Sequence, residues 1–344
     1  MRRELKTAAE DGRTAIKASK HTRRKLEVLQ RYFQGYAWII LQNFPGFIYI
    51  DAHAGPGINV IDGNEYEGSP LLALKAFVKV ACDLLSKDMI NGQKFIKIYL
   101  IEEDREAYEA LIARVINYVK KLREENAFTS LRFEKKTNTT PLIITIRKQW
   151  TSIRIEIYVW RGDCNAKLGG EFIKQVQDIP CLLLIDPFGF KDWKWDTAMR
   201  IAQIRRIDIV FTFQLKMLKR RSDTQAFNEF FGPISGWCKE ILRSVKSGAE
   251  WATKAHEIMG RYAGELNFKY ESGIVRYEDE DIDYFYFIMI MSRDETALKL
   301  AKDVLEAAKI KHARGQLFLP EFSRKGYKEY KRPTKRGLLE YVSA

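Results

Sequence analysis

The apolar run Cys181-Leu182-Leu183-Leu184-Ile185 is followed directly by the turn Asp186-Pro187-Phe188-Gly189. A short apolar run bounded by turn-forming residues predicts a strand buried on both faces, as in the middle of a parallel sheet. An earlier run, Phe47-Ile48-Tyr49-Ile50, ends similarly, in Asp51-Ala52-His53-Ala54-Gly55-Pro56-Gly57. Because the carboxyl ends of parallel strands meet at one edge of a sheet, we expect both turns to border one cleft.

Strand and helix patterns alternate along most of the chain. The predicted strands are residues 47–51, 95–101, 153–160, 181–185 and 207–213, with further β-rich segments at 131–134 and 142–147. The predicted helices are residues 20–41, 105–123 and 170–177, and a further helix that begins at Ser69-Pro70, where Ser69 is expected to be the cap and Pro70 suits the first turn. A polar loop is expected at 59–68. This alternation predicts an α/β fold with a mostly parallel, doubly wound, Rossmann-like sheet.

The C-terminal part departs from this alternation. Residues 215–264 have no strand pattern and are expected to form a helical insertion after the fifth strand. Residues 274–277 and 284–291 predict an antiparallel hairpin through an acidic turn, and a helix is expected at 295–308. Dehydrogenase sheets usually end in parallel strands, whereas the class I methyltransferase sheet inserts one reversed strand. The ending therefore favours S-adenosylmethionine over a nicotinamide as cofactor.

The net charge of +13 is concentrated at the two ends of the chain. Residues 1–25 hold nine basic and three acidic residues, and residues 311–337 hold nine and two. We therefore divide the chain into a basic arm (1–19), a methyltransferase-like domain (20–310) and a basic tail (311–344). Basic ends suit contact with DNA or RNA, although solvated tails would have the same composition. A further basic cluster flanks the predicted fifth strand: Arg205, Arg206, Lys216, Lys219, Arg220 and Arg221.

Several classes of protein are disfavoured by the composition. The four cysteines form no CxxC pair, so neither a zinc site nor a disulfide framework is expected, and a reducing compartment is indicated. The four histidines show no metal-ligand spacing, and no metal site is predicted. No apolar run approaches the ~20 residues of a membrane helix, so we expect a cytoplasmic protein without membrane contact.

The predicted strand ends supply candidates for a cofactor site. Gly55 and Gly57 would let the backbone approach a nucleotide-like cofactor, and Asp51 would accept from its amino-acid part or orient the turn. Glu102 would accept from the two ribose hydroxyls. Asp163 would accept from the adenine amino group, with a simple turn involving Asn165 as the alternative. His53 lies within the turn and is expected to pack against the sheet rather than act as a base.

The turn after the fourth strand is the candidate catalytic site. An exocyclic amine is a poor nucleophile while its lone pair is delocalised, so an Asp186 carboxylate that accepts its N–H would draw the nitrogen towards a tetrahedral form. Phe188 would stack on the base, Pro187 would stiffen the turn, and Gly189 would admit the substrate. Three more aromatic residues would line a pocket for an extruded base, with core packing expected for two of them: Phe190, Trp193 and Trp195.

The ordered motifs together resemble one known family. In this order, six stretches resemble the three-Cys-motif partner proteins (TcmP). They are Lys20-His21 before a long helix, the 49–57 turn, Gly68-Ser69-Pro70-Leu71, Leu100-Ile101-Glu102, Ile185-Asp186-Pro187-Phe188-Gly189 and Tyr284-Phe285-Tyr286-Phe287. The resemblance implies a class I methyltransferase-like fold and a separate radical-S-adenosylmethionine-like partner that carries the cysteines. The 186–189 turn is also similar to the fourth motif of tRNA guanine N2-dimethyltransferases and to the Asp-Pro-Pro-aromatic motif of DNA amino-methyltransferases.

Two functions are consistent with these features. The first is an S-adenosylmethionine-dependent methyltransferase that acts on an exocyclic base nitrogen of DNA or RNA. The second is a nucleic-acid-binding accessory protein on a degenerate methyltransferase fold that works with the radical-S-adenosylmethionine-like partner.

Overall fold

The structure is a computed structural model that describes residues 5–125, 129–132, 141–214, 224–245, 248–275 and 286–312. The strands in chain order are β1 Lys6–Ala8, β2 Thr14–Lys17, β3 Gly46–Asp51, β4 Ile58–Ile61, β5 Asn64–Glu67, β6 Gln93–Glu102, β7 Thr129–Arg132, β8 Leu142–Lys148, β9 Thr151–Arg161, β10 Cys181–Ile185, β11 Ile207–Gln214, β12 Lys269–Val275 and β13 Tyr286–Ser292. The helices are α1 Lys20–Asn43, α2 Ser69–Ser86, α3 Arg105–Glu125, α4 Cys164–Lys167, α5 Gly170–Val176, α6 Trp195–Ile201, α7 Gln225–Phe231, α8 Ser235–Ser244, α9 Gly248–Glu265 and α10 Glu295–His312.

The main sheet has the strand order β12-β13-β11-β10-β3-β6-β9-β8-β7 in the described part of the chain. The five central strands, from β11 to β9, are parallel to one another. β10 is buried along its whole length because its five residues are apolar and helices cover both faces of the sheet. The predicted α/β fold with a mostly parallel, doubly wound, Rossmann-like sheet is thus confirmed, including each of the five parallel strands.

The predicted reversed strand is also present. β13 runs antiparallel to both of its neighbours and lies between β11 and β12. The antiparallel pairing of the predicted hairpin is therefore confirmed, although its acidic turn at 278–283 lies outside the described residues. At the opposite end of the sheet, β7 and β8 form a second antiparallel pair beside β9.

Two layers of helices enclose the sheet. Helices α1, α2, α3 and α10 pack on one face. On this face Phe47 of β3 packs edge-on against Phe77 of α2, with ring centroids 5.1 Å apart. Helices α4 to α9 pack on the other face. Helices α7 to α9 are the described part of the predicted insertion, and Phe227 of α7 packs edge-on against Phe190 at 5.1 Å. The insertion therefore extends the core beside the turn that follows β10.

A second, small sheet has the order β1-β2-β4-β5 and was not predicted. Residues 59–68, expected to be a polar loop, form most of the β4–β5 hairpin. The described part of the expected basic arm is not a free arm, since β2 pairs with β4. Lys6 is paired with Asp104 at 2.8 Å and with Glu106 at 2.9 Å. Ion pairing with acidic residues of the domain thus offsets part of the positive charge of this segment.

The predicted basic tail, 311–344, lies outside the described residues except for Lys311 and His312, which end α10. The division into arm, domain and tail stays a prediction. The structure adds to it that residues 5–17 fold against the domain.

Candidate active site at the carboxyl ends of the strands

The topology places a crevice between β3 and β10. From β3 the chain continues to β6 and β9 on one side of the sheet, whereas β10 and β11 lie on the other side. Doubly wound sheets bind ligands at this switch point, outside the carboxyl ends of the strands. Asp51 ends β3 and Asp186 follows β10, so the structure brings the two predicted turns to the two sides of one crevice.

Asp51 is fully buried and organises the first turn. Its Oδ2 accepts from Ser69 Oγ at 2.7 Å and from Tyr49 OH at 3.4 Å, and its Oδ1 accepts from the His53 backbone N–H at 3.3 Å. Burial raises the pKa of Asp51 to about 7, and the nearby Asp186 carboxylate adds to the shift. Of the two roles predicted for Asp51, these bonds favour orientation of the turn.

Ser69 has a different role from the one expected. We predicted that it caps α2, but the N-cap position is Gly68, and Ser69 is the first residue of the helix. Its hydroxyl donates to Asp51 instead, while the Gly68 N–H donates to the Gly57 carbonyl at 2.8 Å. The start of α2 is thus bonded to both ends of the glycine turn.

Gly55 and Gly57 both adopt left-handed backbone conformations, with φ of +64° and +87°. A Cβ atom on Gly55 would also lie 3.1 Å from Ile16 Cδ1 of β2, and one on Gly57 would lie 3.3 Å from Leu111 Cδ1 of α3. Side chains other than hydrogen are therefore disfavoured at both positions. The turn is thus packed against β2 of the small sheet at Gly55 and against α3 at Gly57.

Glu102 ends β6 and bonds to the same turn. Its Oε2 accepts from the Gly55 N–H at 2.8 Å, and its Oε1 accepts from the Asp104 N–H at 2.8 Å. Burial raises the pKa of Glu102 above its usual range, although the two N–H donors oppose this shift. A carboxylate has about four acceptor positions, so two N–H bonds leave capacity for two hydroxyl donors such as those of a ribose.

Asp163 lies at the same edge of the sheet but has an exposed side chain. Its Oδ1 accepts from the backbone N–H and from the side-chain amide of Asn165, both at 2.9 Å, and so caps α4. These contacts are those of the Asp-x-Asn turn that we considered as the alternative. A contact of Asp163 with adenine stays a prediction.

Asp186 accepts hydrogen bonds on both carboxylate oxygens. Thr212 of β11 donates its hydroxyl to Oδ1, and Lys25 of α1 donates its ammonium to Oδ2. The Asp186 side chain is 22% exposed, so part of it stays accessible to solvent despite these partners. Neither partner was predicted: Lys25 lies 161 residues away in sequence, and only the packing of α1 brings it to this edge.

Lys25 is buried between anionic and aromatic groups. Its Nζ lies 4.6 Å from the Tyr286 ring centroid, and its side chain is 5% exposed. Burial alone would lower the pKa of Lys25, but the Asp186 carboxylate and its neighbours outweigh burial and raise the pKa. A protonated Lys25 therefore holds the Asp186 carboxylate in one orientation.

His53 connects the two turns. Its Nδ1 accepts from the Asp186 backbone N–H at 3.3 Å, which assigns the proton to Nε2, and Nε2 donates to the Asp192 carbonyl at 3.0 Å. Burial lowers the pKa of His53, so the ring is neutral. With both nitrogens occupied by backbone groups, His53 is a packing residue, as we expected, and not a base.

The aromatic residues near Asp186 are mainly core residues. Phe190 and Trp193 are buried, and Trp193 Nε1 donates to Tyr262 OH at 3.2 Å. Trp195 is half-buried and lies edge-on to Tyr262 at 5.1 Å. Two residues from Asp186, Phe188 is half-buried, whereas the intervening Pro187 is buried.

Two members of the basic cluster around the fifth strand, Arg205 and Arg206, lie away from the crevice. Arg205 and Arg206 precede β11, so they lie at the amino ends of the parallel strands, opposite the crevice. The Arg206 guanidinium lies 5.3 Å over the Phe44 ring at that edge. The other members, 216–221, lie outside the described residues. Arg205 and Arg206 therefore do not form a rim of the candidate site.

Metal sites and membrane spans are both absent from the described part of the chain. In these ranges, no group of three or more His, Cys, Asp or Glu side chains has the arrangement of a metal site. No helix within them has the length and hydropathy needed to cross a bilayer.

No protein-family model matches this chain, and no curated protein matches it. Among solved structures, M. jannaschii TYW2 in complex with AdoMet aligns at 12% identity and a TM-score of 0.31, covering 85% of this chain and 87% of that chain. The small RNA methyltransferase HEN1 aligns at 10% identity and a TM-score of 0.35, covering 78% of this chain and 26% of that chain. The resemblance to TcmP stays a prediction.

Proposed function

We propose that this protein is an S-adenosylmethionine-dependent methyltransferase that acts on an exocyclic base nitrogen of DNA or RNA. The observation that carries the proposal is the crevice between β3 and β10. The glycine turn and Glu102 border it on one side, and the Asp186 carboxylate borders it on the other.

The residues present fit S-adenosylmethionine. Gly55 and Gly57 give the turn the left-handed backbone conformations that it needs, and Glu102 retains two acceptor positions for the ribose hydroxyls. Asp51 supports the turn from below, and Asp163 is the candidate for the adenine amino group. When bound, S-adenosylmethionine supplies an electrophilic methyl group; every other part of the reaction depends on the chain's own residues.

Asp186 would orient the substrate amine. Its carboxylate already accepts from Thr212 and Lys25, and the two remaining acceptor positions can take an N–H of the amine. Lys25 fixes the carboxylate in place, so Asp186 acts by accepting a hydrogen bond and positioning the nitrogen. The half-buried Phe188 ring is placed to stack on the base. After transfer, the surplus proton of the nitrogen would leave through the solvent-exposed side of Asp186.

A second function is favoured by the same pairing. Because Lys25 and Thr212 already satisfy both oxygens of Asp186, the site is also stable without a substrate amine. This is the arrangement expected of a nucleic-acid-binding accessory protein on a degenerate methyltransferase fold, working with a radical-S-adenosylmethionine-like partner.

A methyl-transfer assay separates the two functions. The wild-type protein is incubated with S-adenosylmethionine labelled in its methyl group and with total RNA or DNA, alongside Asp186→Asn. The enzyme function predicts label in nucleic acid with the wild type and at least a hundredfold less with Asp186→Asn, while both proteins bind the cofactor equally. Cofactor binding without transfer to any nucleic acid would favour the accessory function.

A further inference from the structure

The outer strands of the sheet have one solvated face. Ile153, Ile155 and Ile157 of β9 are buried beneath α2 and α3, whereas the residues between them point to the opposite face. On that face the Arg154 side chain is 52% exposed, and Tyr158 is half-buried. A solvated face of a sheet is ordinarily polar, so aromatic rings on it need a reason.

Aromatic rings on this face form a stack across two strands. The Tyr158 ring of β9 lies parallel to the Tyr99 ring of β6, with centroids 4.7 Å apart and an interplanar angle of 10°. The ring centroids of Trp160 and Tyr99 are 4.8 Å apart, and Phe172 of α5 packs edge-on to Tyr99 with ring centroids 5.1 Å apart. Within the described ranges, Tyr99 is the ring that stacks on Tyr158, so Tyr158 is the outer member of the stack.

Cations surround the stack. The strand register places Lys97 and Arg154 on the same face as Tyr158, and Arg147 of β8 follows the same alternation. Glu156 accepts from Arg154 Nε at 2.6 Å and from Tyr158 OH at 2.8 Å. One carboxylate thus fixes both a cation and the outer ring, and three basic residues against one acid leave the face positive.

We propose that this aromatic face, defined by Tyr99, Tyr158, Trp160, Lys97 and Arg154, binds single-stranded nucleic acid. A base would continue the stack on the outer side of Tyr158, and the cations would contact the adjacent phosphates. A duplex keeps its bases paired and stacked internally, so it would use only the cations. The proposal rests on the proposed function for the class of partner, which is a nucleic acid. It adds to that function that the substrate is single-stranded. It requires no methyl transfer.

Two substitutions at one position test the stacking. Binding of a labelled oligouridine strand and of a duplex of equal phosphate number is measured by fluorescence anisotropy. Tyr158→Leu removes the ring and should weaken single-strand binding about tenfold, with little effect on the duplex. Tyr158→Phe keeps the ring and loses only the bond to Glu156, so it should stay within about threefold of the wild type.

The matched control is Tyr118→Leu. Tyr118 is a half-buried tyrosine of α3 with Lys75 5.7 Å over its ring, on the opposite side of the same strands. It should leave binding unchanged. The proposal is overturned if Tyr158→Leu, with a wild-type melting temperature, binds the single strand as well as Tyr118→Leu does, or if strand and duplex binding weaken equally.

A charge substitution tests the phosphate contact separately. Arg154→Gln should reduce the dependence of log Kd on log salt for the single strand by about 0.7, the value of one released counterion. An unchanged slope would show that Arg154 contacts no phosphate of the bound strand. These outcomes are independent of the proposed reaction. Loss of methyl transfer in Asp186→Asn, with normal strand binding, tests the proposed enzyme activity, whereas loss of strand binding in Tyr158→Leu tests the proposed binding by the aromatic face.

Discussion

Replacement of Arg114 by glutamine should release the small sheet from the cofactor turn. The Arg114 guanidinium donates to both carboxylate oxygens of Asp11, at 2.8 and 3.0 Å, and to the backbone carbonyls of Thr14 at 2.8 Å and Pro56 at 2.7 Å. Its side chain is 5% exposed. One buried cation therefore joins the β1–β2 hairpin to the turn between Gly55 and Gly57.

The expected loss follows from these contacts. Removal of one partner of a buried ion pair costs about 3–5 kcal/mol, because the other partner is left buried. Asp11 is 32% exposed and can be rehydrated, which places the loss at the lower end, about 3 kcal/mol. The buried Pro56 carbonyl has no such access to water, so we expect the turn to shift and cofactor affinity to fall with stability.

Urea unfolding and cofactor titration measure the two effects. The control is Arg105→Gln on the same helix, whose partner Glu109 is one turn away and whose side chain is 71% exposed. The control should unfold like the wild type, because a surface pair is screened by water. If Arg114→Gln unfolds at the same urea concentration as Arg105→Gln and binds S-adenosylmethionine equally well, Arg114 does not couple the small sheet to the turn.

Three other substitutions have defined outcomes. Lys25→Met should abolish methyl transfer and lower the free energy of unfolding by about 3–5 kcal/mol, because it leaves the Asp186 carboxylate without its cation. Adding Asp186→Asn should restore much of this stability, and a double-mutant cycle measures the coupling between the two residues. Gly55→Ala should destabilise by about 1–2 kcal/mol and weaken cofactor binding, since φ is +64° and Ile16 is close; unchanged thermal unfolding would contradict this. Burial raises the pKa of Asp208 to about 7. Its unfolded form ionises near pH 4, whereas the folded form stays largely protonated up to about pH 7, and each pKa unit of this difference is worth about 1.4 kcal/mol. Wild-type stability should therefore fall by about 3–4 kcal/mol between pH 4 and 7, and Asp208→Asn should gain about the same amount relative to wild type over that interval. Urea unfolding at each pH measures the difference, and a constant difference would be the contrary result.

The sheet was predictable from sequence because its strands carry strong local signals. The all-apolar run 181–185 matches β10 residue for residue, and the turn formers after each parallel strand mark where the carboxyl edge lies. The reversed strand β13 followed from a hairpin pattern near the C-terminus. Since the topology of a parallel sheet places its strand ends together, the sequence sufficed to predict that Asp51, Glu102 and Asp186 lie at one edge of the sheet.

The small sheet escaped prediction because its strands carry little hydrophobic periodicity. β1 and β5 have three and four residues with no fully buried side chain, and their sequences are mainly polar. Distant partners hold part of this sheet instead: Asp104 pairs with Lys6 of β1, and Arg114 donates to the Thr14 carbonyl at the start of β2. Local composition therefore predicted an arm and a loop where tertiary ion pairs form strands.

The partners of Asp186 depended on tertiary packing in the same way. Lys25 belongs to a basic stretch of α1 in which no residue stands out by type or spacing. The position of Arg206 shows the converse error: it is close in sequence to β11 but precedes the strand, and so lies at the far edge. Direction along a strand decides which edge a flanking residue occupies, so residues that precede β11 lie at the edge opposite the residues that follow β10.

The central claim is that the crevice between β3 and β10 binds S-adenosylmethionine, and calorimetric titration tests it most directly. The wild-type protein is titrated with S-adenosylmethionine, with S-adenosylhomocysteine and, as a control for nucleotide shape, with NADH, and Glu102→Gln is titrated in parallel. We predict one site per chain with micromolar affinity for both adenosyl ligands, no binding of NADH, and at least tenfold weaker binding by Glu102→Gln. Absence of binding by either adenosyl ligand to the folded wild-type protein would contradict this claim.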